Sequence, residues 1–519
     1  MLENVPSWLL RLALWVVSKS EWLSDKLNRF AINSAVEVCR TRPHPWSTAH
    51  DYVSWTSLTD MRWSARHLPA VRLDGLPAPE TLREMFRAPG TGQRPCEKST
   101  CLFPAFAQYL TDGFIRTRSQ QEGEPDDVRR QNTSNHQIDL CPLYGRTPAQ
   151  TAILRLRDDT AGRRGRLKSQ ILHGEEYAPF LLENDAVKAE FAGLDAPLGL
   201  SKVQDPAQRA VIFAFGGDRA NATAQVAMLN TLFLREHNRV AGEIERLNPA
   251  WDDDHVFEVA RNIVIVLFIK IVVEEYINHI APLPVRLRAD PRVAWTADWN
   301  RPNWITTEFS LLYRWHSLIP DTIVWKDKSY PVGATPLNNR PLLEAGLTRA
   351  FIDMSTQRAT RLGAFNTAAA LVDLEILAIR QGRACDVAPF WRYCEYVGLP
   401  VPRSFEDITK DAGVVAFLRQ AYGDVSKVDF YVGLFAQETV KNSPLPPLTL
   451  RMVAVDAFSQ ALTNPLLSEH VFKEETFTPF GWTTISQTST LRDVVARNSA
   501  TPLGDARISM TRAGWKHAW

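Results

Sequence analysis

The chain has 519 residues, 45% of them hydrophobic, and its 59 Lys and Arg against 58 Asp and Glu leave a formal net charge of +1. That hydrophobic fraction is ordinary for a globular core, and the near-balance of charge gives no general attraction to nucleic acid. The length is large for one domain, yet no Gly/Ser-rich linker or low-complexity tract offers a boundary, so most of the chain reads as one large helical body.

Residues 7–17 form an apolar run, but Arg11 interrupts it and it falls short of the roughly 20 residues a spanning helix needs. It also lacks the basic start and small-residue cleavage site of a signal peptide, so neither a transmembrane helix nor secretion is expected. Trp8, Trp15, Trp22, Trp46, Trp55 and Trp63 put six of the sixteen tryptophans in the first 63 residues. Indoles favour the headgroup layer, and apolar stripes flanked by Arg11, Lys19, Lys26 and Arg29 suit amphipathic helices lying in one leaflet. The competing reading is that these helices pack on the core.

Helical periodicity follows over residues 220–247, 256–280, 306–318, 361–381 and 411–421. Asn248-Pro249, residues 282–284, residues 400–402 and residues 444–447 punctuate it. The run 263–273 is very apolar, but Lys270 and the following Glu274 and Glu275 argue for a buried helix. Alternating strand patterns are scarce, so the expected fold class is mainly α.

Six cysteines, Cys39, Cys96, Cys101, Cys141, Cys385 and Cys394, are too sparse for a disulfide scaffold and form no C-x-x-C pair, though Cys96 could pair with Cys101. GGDRAN (216–221) imitates a phosphate loop but lacks the Gly-Lys-Ser/Thr ending. Asn132 and Asn221 fit the glycosylation pattern, which is irrelevant if the protein is intracellular. The Asp252 to Asp254 cluster reads as a helix N-terminal cap rather than a cation site.

In EFSLLYRWHSLIPD (308–321), Tyr313 and His316 stand three residues apart in an apolar helical pattern. On a continuous helix their β-carbons would lie about 5–6 Å apart on one face. A lone pair of this kind is more often core than site, and its setting decides. AHDYVSW (49–55), FAQ (106–108), LREHNR (234–239), VEEY (273–276), LYRWH (312–316) and FS (458–459) occur in the order in which the cyclooxygenases carry such blocks. The chain therefore resembles the cyclooxygenases (prostaglandin endoperoxide synthases), within the animal haem peroxidase superfamily, over nearly its whole length.

The resemblance implies a large haem peroxidase-like helical domain over residues 46–519, preceded by short membrane-binding helices over residues 1–45. It implies haem b, held through its iron by His316 as axial ligand, a ligand type imidazole serves well. Tyr313 matches the tyrosine whose radical abstracts hydrogen from a polyunsaturated fatty acid before O2 adds, and Tyr276 a second tyrosine that hydrogen-bonds the first. Gln108 matches a glutamine on the other face of the haem. Asp112, four residues on, stands where the family usually places a histidine. A carboxylate near its reference pKa of about 4 is a poor base for peroxide heterolysis, although burial could raise it. Peroxidase turnover is therefore expected to be weak, with His136 or Arg130 as alternative suppliers of the missing group. His237 reads as packing, and His50 lies in loop-like sequence.

Arg40 matches the arginine that binds the substrate carboxylate, with Arg42 as an alternative, and Ser459 matches a serine lining the oxygenase channel. A tyrosine that assists the arginine in the family is replaced near Leu283. The expected activity is haem-dependent dioxygenation of unsaturated fatty acids to hydroperoxides, with endoperoxides where the channel folds the chain around Tyr313. Alternatives are a haem peroxidase oxidising small molecules and a non-catalytic haem- or lipid-binding sensor. The resemblance also implies attachment to a membrane leaflet and admits a homodimer. The lack of a cysteine-rich growth-factor-like module reads as intracellular.

Overall fold

Apolar residues recurring every three or four positions bury their stripes only by packing helix on helix, and the architecture follows that rule. The computed structural model describes residues 12–13, 15–17, 19–38, 46–118, 120–283 and 285–518. Among these the strands amount to five two-stranded antiparallel ribbons, so the fold is mainly α. The helices that position the site are α1 (Glu21–Val36), α2 (Leu102–Phe114), α3 (Ala224–Leu247), α4 (Asp253–Ile271), α5 (Thr307–Leu312), α6 (Val372–Ala384), α7 (Phe430–Ala436) and α8 (Pro447–Leu462).

The centre is the pair α3 and α4, packed along each other. Thr223 caps α3 by accepting from the Val226 amide, and Asp252 caps α4 by accepting from His255, the role its sequence context implies. From Ala224 to Glu245, α3 is buried nearly all round, as a central helix must be. The apolar run beginning at Ile263 is core too, and Lys270 at its end donates from Nζ to the Ile485 carbonyl at 2.6 Å. No helix among the described residues is long and apolar enough to cross a membrane. Beyond Ile271 the helix widens into a π turn, Val272–Ile277, before a last α turn, Asn278–Ile280.

One expected helix starts late, and two side questions are answered. Residues 361–371 are not α-helical: Asn366 ties that stretch into a loop, donating to the Arg361 carbonyl at 2.6 Å and accepting from the Arg94 amide, and α6 begins only at Val372. Cys96, Cys101, Cys141, Cys385 and Cys394 are all free and buried, so Cys96 and Cys101 are unpaired. Both glycosylation sequons are structural: Asn221 clamps the Phe213 backbone through N–H and C=O, while Asn132 accepts from the Arg116 amide and donates to the Phe114 carbonyl.

Helix α1 shows both faces of the N-terminal question. Asn28, Ile32 and Val36, at intervals of four, are buried, and α1 packs on α8. Trp22 and Phe30 on its other side remain 66% and 69% exposed, with the Lys26 ammonium 5.4 Å from the Trp22 ring.

Candidate active site

Thr306 caps α5 by accepting from Phe309, but the helix stops at Leu312, six residues short of the expected end at 318. The cause is aromatic. The Tyr313 and Trp315 rings stack at 4.8 Å with 22° between their planes, whereas side chains two apart on an α-helix do not face each other. Tyr313 takes φ −95°, ψ 12° as the C-cap, Trp315 takes φ −92°, ψ 48°, and a 3-10 turn, His316–Leu318, follows. Tyr313 and His316 thus share a cavity through this break rather than along one helical face.

That cavity has a volume of about 330 Å³, within the range of small-molecule and cofactor sites. Gln108, Thr111 and Asp112 of α2 line it, as do Tyr313, Arg314 and His316. Phe309 meets the Tyr313 ring edge-on at 4.8 Å. The Tyr313 phenol is buried, which pushes its pKa up, and its hydroxyl lies close enough to that of Tyr276 for the two to couple. Neither hydroxyl makes a hydrogen bond of good geometry. Tyr276 sits on the π turn between Phe103 and Phe106, at 5.6 and 5.5 Å, and π turns of this kind recur at functional sites because they re-aim a side chain.

The His316 ring is held from behind. Its Nδ1 lies 3.1 Å from Oε2 of Glu375 on α6, a fully buried carboxylate, though off the alignment of a full hydrogen bond. Tyr431 of α7 donates to the same oxygen, and Thr367 donates to Oε1 at 2.9 Å.

Asp112 is buried, and burial lifts its carboxyl to about 7 while Arg219, Arg116 and Gln108 pull the other way. Its Oδ1 stands 3.9 Å from the Arg219 guanidinium, and its Oδ2 has no partner. The alternatives to Asp112 are committed elsewhere and do not line this cavity. His136 meets the Met61 carbonyl at 2.6 Å and accepts from the Ile305 amide, and burial holds its pKa near 4. Arg130 donates to the Ala384 carbonyl and pairs with Asp386. His237 is packing, as its context implies, bonded to Tyr144 and the Gly165 carbonyl.

Ser459 is fully buried, donates to the Val455 carbonyl of its own helix at 2.6 Å and does not line the cavity. Arg40 and Arg42 lie outside the described residues. Four contributors escape the sequence reading: Arg219 and Arg314, which line the cavity, and Glu375 and Tyr431 behind His316. One signal was present, since Val372, Glu375, Ile376 and Ile379 form one helical stripe and all four are buried. A glutamate in a core stripe requires partners.

The animal haem peroxidase family model matches residues 102–506. Prostaglandin G/H synthase 1 of Mus musculus is 28% identical over 507 residues, covering 94% of this chain and 79% of that protein. Peroxidase A of Dictyostelium discoideum superposes with a TM-score of 0.70 at 18% identity, covering 87% of this chain and 96% of that one. A tyrosine-to-phenylalanine variant of the Oryza sativa fatty acid alpha-dioxygenase, solved with palmitic acid, superposes with a TM-score of 0.69 at 17% identity, covering 99% of this chain and 94% of that one. With the family model spanning the cavity and most of the core around it, the chain belongs to the animal haem peroxidase family.

Proposed function

We propose that the chain is a haem-dependent dioxygenase that converts unsaturated fatty acids to hydroperoxides with O2. The observation that carries this reading is a single cavity lined by Tyr313, His316, Gln108 and Asp112. The residues present fit a haem, proposed here as haem b. One ring nitrogen of His316 faces Glu375 at 3.1 Å, which suits the imidazole to ligation through the other. Arg219 and Arg314 supply guanidiniums suited to propionate or fatty-acid carboxylates.

A bound haem would supply, with a hydroperoxide as co-reactant, the one-electron oxidant that the protein itself lacks. The remaining steps belong to the chain. Tyr313, oxidised to the phenoxyl radical, takes a hydrogen atom from a doubly allylic carbon of the fatty acid. O2 adds to the carbon radical, and the resulting peroxyl radical takes a hydrogen atom back from Tyr313, giving the hydroperoxide and restoring the tyrosyl radical. Phe309 and Trp315 enclose the Tyr313 ring and keep it from water, and Tyr276 sets its hydroxyl environment. Asp112, with a pKa of about 7, holds or releases a proton near neutral pH, which suits it to peroxide activation better than an ordinary carboxylate. Arg40 is the proposed carboxylate anchor, and the exposed aromatic residues of α1 the proposed contact with a membrane leaflet.

A second reading, a peroxidase of small molecules, is favoured by Asp112 itself, since proton transfer near pH 7 is what peroxide heterolysis asks of that position. Oxygen uptake by haem-loaded protein with oleate, linoleate and arachidonate tests the first reading. Consumption with the polyunsaturated acids supports it; a flat trace accompanied by dye oxidation with hydrogen peroxide supports the second.

A further inference from the structure

Glu375 faces His316 in the proposed site, and its own surroundings are unusual. It is fully buried on α6, and its Oε1 is occupied by the Thr367 hydroxyl at 2.9 Å. Its Oε2 receives the Tyr431 hydroxyl and faces His316 Nδ1 at 3.1 Å. Thr367 and Tyr431 are neutral donors. The nearby Arg314 guanidinium interacts with Glu375 through space, but its Nη2 is bonded to the Gln381 side chain. The hydrogen bonds from Thr367 and Tyr431 hold the carboxyl group in place with Oε2 facing the imidazole.

We propose that Glu375 is a positioning residue that fixes the His316 imidazole through Nδ1 and makes it a more anionic, more strongly donating ligand. With Nδ1 3.1 Å from Oε2, a small turn of the ring completes the Nδ1–H···Oε2 bond, which favours the tautomer with the proton on Nδ1 and the lone pair on Nε2 and adds basicity at Nε2. Thr367 and Tyr431 form a second support, aiming the carboxylate from the loop before α6 and from α7. Such a ligand favours the ferric over the ferrous state of an iron it holds, because added electron density stabilises the higher charge. The consequence within the proposed reaction would be an iron kept ferric at rest, the state that reacts with a peroxide.

This inference rests on the haem reading of the cavity, and the test separates the two. Wild type, His316→Ala, Glu375→Gln, Glu375→Asp and Tyr431→Phe are loaded with haem. The iron–histidine stretching band of the ferrous form is recorded by resonance Raman, and the ferric/ferrous midpoint potential by spectroelectrochemistry. Glu375→Gln, nearly the same shape without the charge, is expected to lower the stretching frequency and move the potential positive. Glu375→Asp should fall between it and wild type. Tyr431→Phe removes a donor that shares Oε2 and is expected to shift both readouts the opposite way, a change of sign that loss of packing alone does not produce. Where Glu375→Gln does not accumulate as folded protein, Tyr431→Phe carries the test. A band that disappears in His316→Ala but is unmoved, together with the potential, in Glu375→Gln and Tyr431→Phe overturns the role of Glu375 and leaves the haem reading standing. The absence of any band dependent on His316 overturns both.

Discussion

The Tyr313 and Trp315 rings lie face to face at 4.8 Å although only Arg314 separates them in the chain. That contact replaces the last helical turn and brings Tyr313 and His316 to the same cavity. Trp315 is buried, so Trp315→Ala is expected to cost about 3–5 kcal/mol of stability, measured by denaturant unfolding. Oxygen uptake with linoleate should fall by roughly tenfold or more, the loss expected for a misplaced reacting group.

Removing single hydroxyls separates chemistry from packing. Tyr313→Phe is expected to abolish oxygen uptake while leaving oxidation of a dye by hydrogen peroxide in place. Tyr276→Phe should slow uptake several-fold with stability unchanged or higher by up to ~1 kcal/mol, because its buried hydroxyl makes no well-formed hydrogen bond that the substitution would break. An unchanged oxygen trace for Tyr313→Phe would remove the tyrosine from the reaction.

Asp112 links stability to pH. Burial raises its carboxyl from 3.8 to about 7, so between these values the folded protein retains a proton that the unfolded chain has released. Its contribution is fully present below about pH 4 and is lost as pH rises through about 7. Asp112→Asn removes that dependence. The variant should gain on the order of 4 kcal/mol relative to wild type between pH 4 and pH 8 at most, read from unfolding curves at both values. A constant difference across that range would contradict the raised pKa.

Gly216, in the stretch that imitates a phosphate loop, serves close approach instead. A β-carbon there would stand 2.1 Å from the Gly145 nitrogen and 2.3 Å from the Cys141 carbonyl. Backbone cannot yield as a flexible side chain can, so Gly216→Ala is expected to cost about 3 kcal/mol or more. Thermal unfolding, together with the soluble yield, checks it.

The exposed side of α1 bears on membrane attachment. Replacing Trp22 and Phe30 together by Ser is expected to reduce co-sedimentation with phospholipid vesicles at least threefold, roughly what losing two buried aromatic side chains implies at minimum. Stability should change little, since both side chains are largely exposed. Undiminished sedimentation would assign the binding to another surface.

Much was readable from residue order because it depends on local period and on motif. The 3.6-residue spacing of apolar positions specifies helices wherever it persists, which is why 220–247 nearly coincides with α3 and why the run beginning at Ile263 is core. The collinear blocks were sufficient for the family. Less was readable where ring contacts or loop ties override period: the stop at Leu312, the π turn at Tyr276 and the loop held by Asn366.

The sequence by itself determined that the chain folds as a helical body of this family, since hydrophobic period and ordered motifs are properties of neighbours along the chain. Only the tertiary structure decided that Asp112 is desolvated beside Arg219, that His136 and Arg130 are spent elsewhere, and that Glu375 stands behind His316. Each of these depends on groups far apart in sequence meeting in a low-dielectric interior, where a carboxylate's proton affinity and a histidine's donor strength are set by what surrounds them.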